Sequence, residues 1–252
     1  MKIIHISDLH FGLHRQEIIH GFLIEAAAIQ PEIIIISGDL THRARSEQFR
    51  DLKAFISRLP GKILIVPGNH DVPAFDLIQR FLTPFDKYRH FISNSMEVSY
   101  ENESVRILGL NSVNPYSIKD GKLSSDSLKK IETYFSEAAN KLNILFFHHN
   151  FQHFEGLHRP LSNTSEFIKS LKKSAVHLIC TGHLHYANVS FLEKNDQESF
   201  ALLHAGSLSC QRTCDDRNSF YLIEIESGEC TIELRAYEPN RFNRKEIHYY
   251  RF

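Results

Sequence analysis

The chain has no tryptophan, two methionines, four cysteines among 252 residues, and almost no net charge. The cysteines, Cys180, Cys210, Cys214 and Cys230, show no CxxC spacing, so neither a disulfide framework nor a zinc ribbon is indicated; free thiols are the expectation, with pairing or metal binding by Cys210 and Cys214 as the alternative. With 29 basic and 30 acidic residues, no overall field draws nucleic acid or an anionic membrane, so a polyanionic substrate must be held locally. No apolar run approaches membrane-spanning length, and Met1 to His5 lead directly into a strand pattern with no signal-peptide pattern; a cytoplasmic protein without a membrane span is expected. At 42% hydrophobic residues the chain can bury one large core, and a single domain over 1–252 is the expected organisation.

What the chain does have is histidine, 16 in all, and five polar clusters in a fixed order. These are Asp8-Leu9-His10, Gly38-Asp39, Gly68-Asn69-His70-Asp71, His148-His149 and Gly182-His183-Leu184-His185. Each follows an aliphatic run: Lys2 to Ile6, Ile33 to Ile36, Ile63 to Val66, Ile144 to Phe147 and Val176 to Cys180. Such runs read as strands buried on both faces, so the clusters sit at the carboxyl ends of strands, where open α/β sheets bind ligands.

Between the clusters the first half alternates strand and helix. Ile18, Ile19, Phe22, Leu23 and Ala26 predict a helix over Gln16 to Ile29, and Phe49, Leu52, Phe55, Ile56 and Leu59 predict a second, closed by Pro60-Gly61. Right-handed crossovers then place the first three strands parallel and bring Asp8, Asp39 and Asn69 to one edge. Further on, strands are expected near Glu97 to Tyr100 and Val105 to Asn111, and a helix over Ser124 to Ala139 capped by Ser124. A strand over Leu142 to Phe147 and a helix over Thr164 to Lys173 follow. The motifs all lie within 1–185; residues 186–252 read as mainly β, with turns at Asn195-Asp196 and Ser227-Gly228. Phe75, Phe81, Phe85, Tyr88 and Phe91 recur at helical spacing and predict packing against a sheet, with a pocket for a base or acyl chain as the alternative. The basic and aromatic tail 237–252 reads as a final strand, with a dimer contact or an RNA-touching strip as alternatives; nothing in the pattern sets an oligomeric state.

Seven positions have the chemistry of metal ligands: Asp8, His10, Asp39, Asn69, His148, His183 and His185. An extended backbone at Asp8 and His10 would point both side chains the same way. Gly38 lets the chain turn so that the two oxygens of Asp39 can bridge two ions. The mixed nitrogen and oxygen set suits Mn, Fe, Zn or Co, and cysteine is absent from it, which argues against a structural zinc. The guanidinium of Arg212 is suited to grip a phosphate. His42, three residues after Asp39, can face a substrate.

In this order D-x-H, GD, GNHD, H and GHxH resemble the calcineurin-like metallophosphoesterase superfamily. The resemblance implies a four-layer α/β/β/α sandwich of two mixed sheets, with a dinuclear site at the carboxyl edge of the strands. It implies that one ion takes Asp8, His10, Asp39 and His185 and the other Asp39, Asn69, His148 and His183. It also implies hydrolysis of a phosphoester by a metal-bridging hydroxide, with His70 as the acid beside the leaving oxygen. His149 then has a supporting or substrate-contacting place, and Asn150 departs from the proline of many relatives. Gly38-Asp39-Leu40-Thr41-x-Arg43-Ala44, Asn69-His70-Asp71-Val72-Pro73, Ala205-Gly206-Ser207, Arg212 and Asn218-Ser219-Phe220 are similar to bacterial phosphodiesterase-like members, including class III cyclic-nucleotide phosphodiesterases. A small nucleotide diester is therefore the favoured substrate, ahead of nucleic acid or a nucleotide-linked lipid precursor cut at its pyrophosphate. A non-catalytic scaffold is the least favoured reading.

Overall fold

The computed structural model describes all residues except 75, 137–139, 195–198 and 216. Among the described residues, twelve strands form two six-stranded sheets. In the first, β1 (Lys2–Ile6), β2 (Ile33–Ile36) and β3 (Lys62–Ile65) run parallel. On the other side of β1 the antiparallel strands β10 (Ser219–Glu226), β11 (Glu229–Tyr237) and β12 (Phe242–Arg251) complete the order β12-β11-β10-β1-β2-β3. The second sheet has the order β4-β5-β6-β7-β9-β8, from β4 (Val98–Glu101), β5 (Val105–Gly109), β6 (Leu142–Phe146), β7 (Leu178–Thr181), β8 (Asn188–Glu193) and β9 (Ser199–His204). Its four central strands are parallel and its two edge strands antiparallel. Both sheets are mixed.

Strand alternation assigns each residue to a layer. Ile3, Ile33, Ile35 and Leu64 face inward and pack with Ile107, Ile144, Leu178 and Leu203 of the second sheet, forming the central core. Ile4, Ile6, Ile34 and Ile36 face outward onto helices α1 (Gln16–Ile29) and α2 (Ser46–Ile56). On the far side, Leu108, Leu145 and Leu202 pack under α5 (Ser125–Tyr134) and α6 (Thr164–Lys172). Because β2 is buried on both faces its sequence is a continuous aliphatic run, and β1 is aliphatic at Ile3, Ile4 and Ile6 around the buried His5. The result is the four-layer α/β/β/α sandwich.

Three expectations change. Ser124 caps α5 by accepting from the Ser127 amide, but the helix stops at Tyr134 rather than Ala139, which lies outside the described residues. The aromatic segment forms two short helices, α3 (Leu77–Leu82) and α4 (Asp86–Phe91), because Pro84 bars the helical conformation at Thr83 (φ −142°). Phe85 and Tyr88 are buried, while Phe81 is 51% exposed, so the predicted packing of this residue is overturned. Arg80 anchors α3 instead, donating to the carbonyls of Pro73 and Ser117. Phe75 and the Asn195-Asp196 turn lie outside the described residues. All four cysteines are free, and no described helix is long and apolar enough to cross a membrane.

Candidate metal centre

The loops after β1, β2, β3, β6 and β7 meet at one edge, where the two sheets face each other. Asp8 and His10 do not extend as the sequence suggests: φ is 54° and 47°, and Asp39 (48°), His183 (71°) and His185 (51°) are left-handed as well. The chain turns sharply at each strand end, so that consecutive polar groups are re-aimed toward a common point. Such conformations cost on the order of 1 to 3 kcal/mol each and persist where surrounding structure holds them. Here the holding bonds are explicit. Asp8 and His10 donate their amides to Gly38 and Asp39 carbonyls, and the His183 amide donates to Asp8 Oδ2 at 3.0 Å. Asp71 accepts from the amides of Gly68, Leu40 and Thr41 and from the Thr41 hydroxyl, binding the Asp39 loop to the Asn69 loop.

Two of the resulting groups of donors contain carboxylate, and His10, His42 and His70 form a further group of ring nitrogens. Asp8, His10, Asp39 and His185 form the first, with ligand atoms within 4.8 Å of one another. His185 Nε2 lies 3.2 Å from Asp8 Oδ1 and 2.9 Å from His10 Nε2, and His10 Nε2 lies 3.6 Å from Asp39 Oδ2. Asp39, His148 and His183 form the second. His148 Nε2 is 3.3 Å from the other oxygen of Asp39, 3.2 Å from Asn69 Oδ1 and 3.3 Å from His183 Nδ1. Asp39 thus presents one oxygen to each group. Two of the distant ring nitrogens are also occupied: His148 Nδ1 binds the Ser37 carbonyl and His185 Nδ1 the Arg212 carbonyl. Such bonds fix the tautomer and turn Nε2 inward.

The electrostatics match a cation site. Burial pushes the Asp8 and Asp39 carboxyls up, but the imidazoles of His185, His10 and His148 around Asp8, and of His148, His70 and His10 around Asp39, leave both well below the usual range. Burial works against protonation of His148 and His185, and the same carboxylates nevertheless raise each to about 9. His183 is held well below its ordinary value by burial and by His149 and His148. Asp8 Oδ1 is buried with no hydrogen-bond partner among the described residues. Buried carboxylate, amide oxygens and inward-facing imidazoles fit transition-metal ions, whose binding would replace the protons on His148 and His185.

The remaining candidates separate. His70 Nδ1 lies 2.8 Å from the His42 carbonyl, and its ring meets His10 edge-on with centroids 4.8 Å apart. The His42 ring stacks on His70 at 5.7 Å; burial, then His70 and other nearby positive groups, lowers it to about 4. Arg212 is exposed, and its backbone makes the contacts: the carbonyl orients His185 and the amide points at Cys210 Sγ. His149 is fully buried behind His148 and His183, with Nδ1 2.8 Å from Ser112 Oγ. That placement supports the ligand rings and offers no surface to a substrate. His158, in the loop after β6, lies tilted against His183 with ring centroids 4.6 Å apart, and the Lys119 charge is near enough to help burial lower it. Lys119 itself carried no sequence signal, since a lone lysine in a loop resembles any solvated one. Free thiols are the favoured expectation for the cysteines, with metal binding by Cys210 as the alternative; the structure places Cys210 Sγ within ligand range of His10 and His185, which corrects the reading that cysteine is absent from the donors.

A profile of calcineurin-like phosphoesterases matches residues 1–187. The chain is 25% identical over 161 residues to "Glycerophosphodiester phosphodiesterase GpdQ" of Enterobacter lignolyticus, covering 59% of this chain and 56% of that protein. It is 22% identical over 258 residues to a "Probable cyclic nucleotide phosphodiesterase" of Ruthia magnifica, covering 93% and 97%. The chain spans about half the length of the two glycerophosphodiesterase-named relatives, 56% and 49%. Among solved structures, a dimetal phosphatase from Danio rerio superposes with a TM-score of 0.71 at 9% identity, covering 100% of this chain and 99% of that one. The purple acid phosphatase PPD1 of yellow lupin gives 0.70 at 12%, covering 97% and 52%. These two likenesses are of fold.

Proposed function

The chain belongs to the calcineurin-like phosphoesterase family, and from that premise we propose that it is a metal-dependent hydrolase of phosphodiester bonds in small nucleotides, cyclic nucleotides first among them. The observation that carries this reading is the division of Asp39, one oxygen toward His10 and the other toward His148. A carboxylate so placed is suited to hold two ions at once. Asp8, His10 and His185 would complete one position and Asn69, His148 and His183 the other, with two transition-metal ions as the cofactors. When bound, such a pair supplies Lewis acidity to phosphoryl oxygens and an acidified water.

The chain's own residues do the rest. Ser37 and Arg212 carbonyls keep His148 and His185 aimed. As the water oxygen bonds to phosphorus and the ester P–O bond breaks, the departing oxygen needs a proton. We assign that step to His70: Nδ1–H donates to the His42 carbonyl, so Nε2 would give the proton from the imidazolium form and leave a neutral ring. The names of the relatives favour a diester over a monoester, and the balanced charge disfavours long nucleic acid. A second reading, a nucleotide-linked lipid, draws on the exposed apolar side chains of Leu77, Ile78, Phe81 and Leu82 on α3, the helix tethered through Arg80 to the loop that carries Tyr116 and Ile118.

The test is turnover of bis-p-nitrophenyl phosphate against p-nitrophenyl phosphate by the manganese-supplemented chain, followed by cyclic nucleotides, a glycerophosphodiester, a nucleoside diphosphate lipid analogue and single-stranded DNA. Diester preference with cyclic-nucleotide turnover is expected. Monoester preference with no diester turnover would overturn the proposal.

A further inference from the structure

The His10 and His185 imidazoles have a third neighbour that phosphoester hydrolysis does not use. Cys210 Sγ joins their ring nitrogens in a set whose atoms lie within 4.8 Å of one another. The thiol is 1% exposed. Its backbone is clamped between the two loops that build this side of the centre: residue 210 bridges His14, the Arg15 amide donates to the Ser209 carbonyl, and the Gln211 amide to the Leu13 carbonyl. The Cys210 amide donates to Ser207 Oγ, which in turn donates to the Asp8 carbonyl, while Asn218 Nδ2 donates to the Cys210 carbonyl. Burial raises the thiol above its ordinary value, and the Arg212 amide, pointing at the sulfur over 3.4 Å, works against that. Asp8 Oδ1, buried and without a hydrogen-bond partner among the described residues, faces the same group 3.2 Å from His185 Nε2.

We propose that Cys210 is an additional ligand to the ion held by Asp8, His10, Asp39 and His185, and that its sulfur biases this position toward thiophilic divalent ions such as zinc, cadmium or cobalt over manganese. On coordination the thiol releases its proton to solvent and the sulfur lone pair forms the bond; no oxidant or reductant is involved. The proposal rests on the metal centre above and is independent of the substrate.

Cobalt(II) reports both parts separately. Visible ligand-field bands show that cobalt occupies the centre, and an intense near-ultraviolet sulfur-to-cobalt band shows a thiolate on it. Both are expected in the cobalt-loaded chain. Cys210→Ser should lose the near-ultraviolet band while keeping the visible ones, and its preference for cadmium over manganese should fall roughly ten- to a hundredfold. Cys214→Ser, changing an exposed thiol next to the same loop, should leave the spectrum unchanged. Visible bands without the near-ultraviolet band in the unaltered chain would overturn the proposal even if Cys210→Ser fails to fold. So would a band that survives Cys210→Ser or disappears in Cys214→Ser. Absence of both kinds of band would overturn the centre along with it.

Discussion

The backbone amide of His70 donates to Asp39 Oδ1 over 2.9 Å, so the carboxylate shared by the two donor groups also fixes the loop on which His70 stands. Removing that carboxylate disturbs ion binding and acid placement together. Asp39→Ala should therefore drop bound metal below one ion per chain and abolish turnover, measured by elemental analysis alongside rate. Two ions retained in the variant would contradict a shared ligand.

On the proposed function His70 gives a proton, although its ring nitrogen also lies within 4.8 Å of those of His10 and His42 in a group that could hold an ion. His70→Ala should keep its metal and lose roughly a hundred- to ten-thousandfold in rate, most for substrates with poor leaving groups. Rates for aryl and alkyl diesters, plotted against leaving-group acidity, read this out. A uniform loss across the series, or loss of metal, would place His70 among the ligands instead.

Gly182 begins the last cluster with no room for a side chain. A Cβ there would lie 1.9 Å from Ser7 Oγ and 2.5 Å from Asp8 Oδ2. Gly182→Ala should destabilise the chain by about 1 to 3 kcal/mol and weaken metal binding, seen as a lower melting temperature and lower metal content. Unchanged values for both would show that the strand ends yield more easily than the packing indicates.

A buried histidine away from the ligands sets one acid limit. His204, with Nδ1 2.6 Å from Thr181 Oγ1, is lowered to about 4 by burial. Its folded value lies below its unfolded one, so its contribution is complete above the ordinary histidine value and is lost as pH falls toward 4. Between pH 7 and pH 5 this amounts to about 2 kcal/mol. Urea unfolding of the original chain and of His204→Gln, at both pH values and with the same metal, should show a shallower decline in the variant. Parallel declines would falsify the assignment.

The strand ends were legible because burial on both faces demands unbroken aliphatic runs, and a polar group placed directly after one stands out. The helix over Gln16–Ile29 is read from its stripe to the residue. Other features had no such signal. The left-handed turns at Asp8 and His10 depend on amide bonds to a different loop, which period alone does not carry. Phe81 fits a helical stripe, yet its helix is held by Arg80, so Phe81 faces solvent while Phe85 and Tyr88 of the same stripe are buried. Cys210 and His158 reach the centre through loops whose paths are set by tertiary hydrogen bonds and ring contacts. The Ser37 and Arg212 carbonyls orient ligands by backbone position, which no side chain announces.

The account stands most directly on the number of ions needed. Manganese titrated into chelator-stripped chain, with bound metal followed by calorimetry and diester turnover measured at each step, should saturate at two ions per chain, with turnover rising as the second binds. Full turnover at one ion, or turnover that survives chelation, would contradict it.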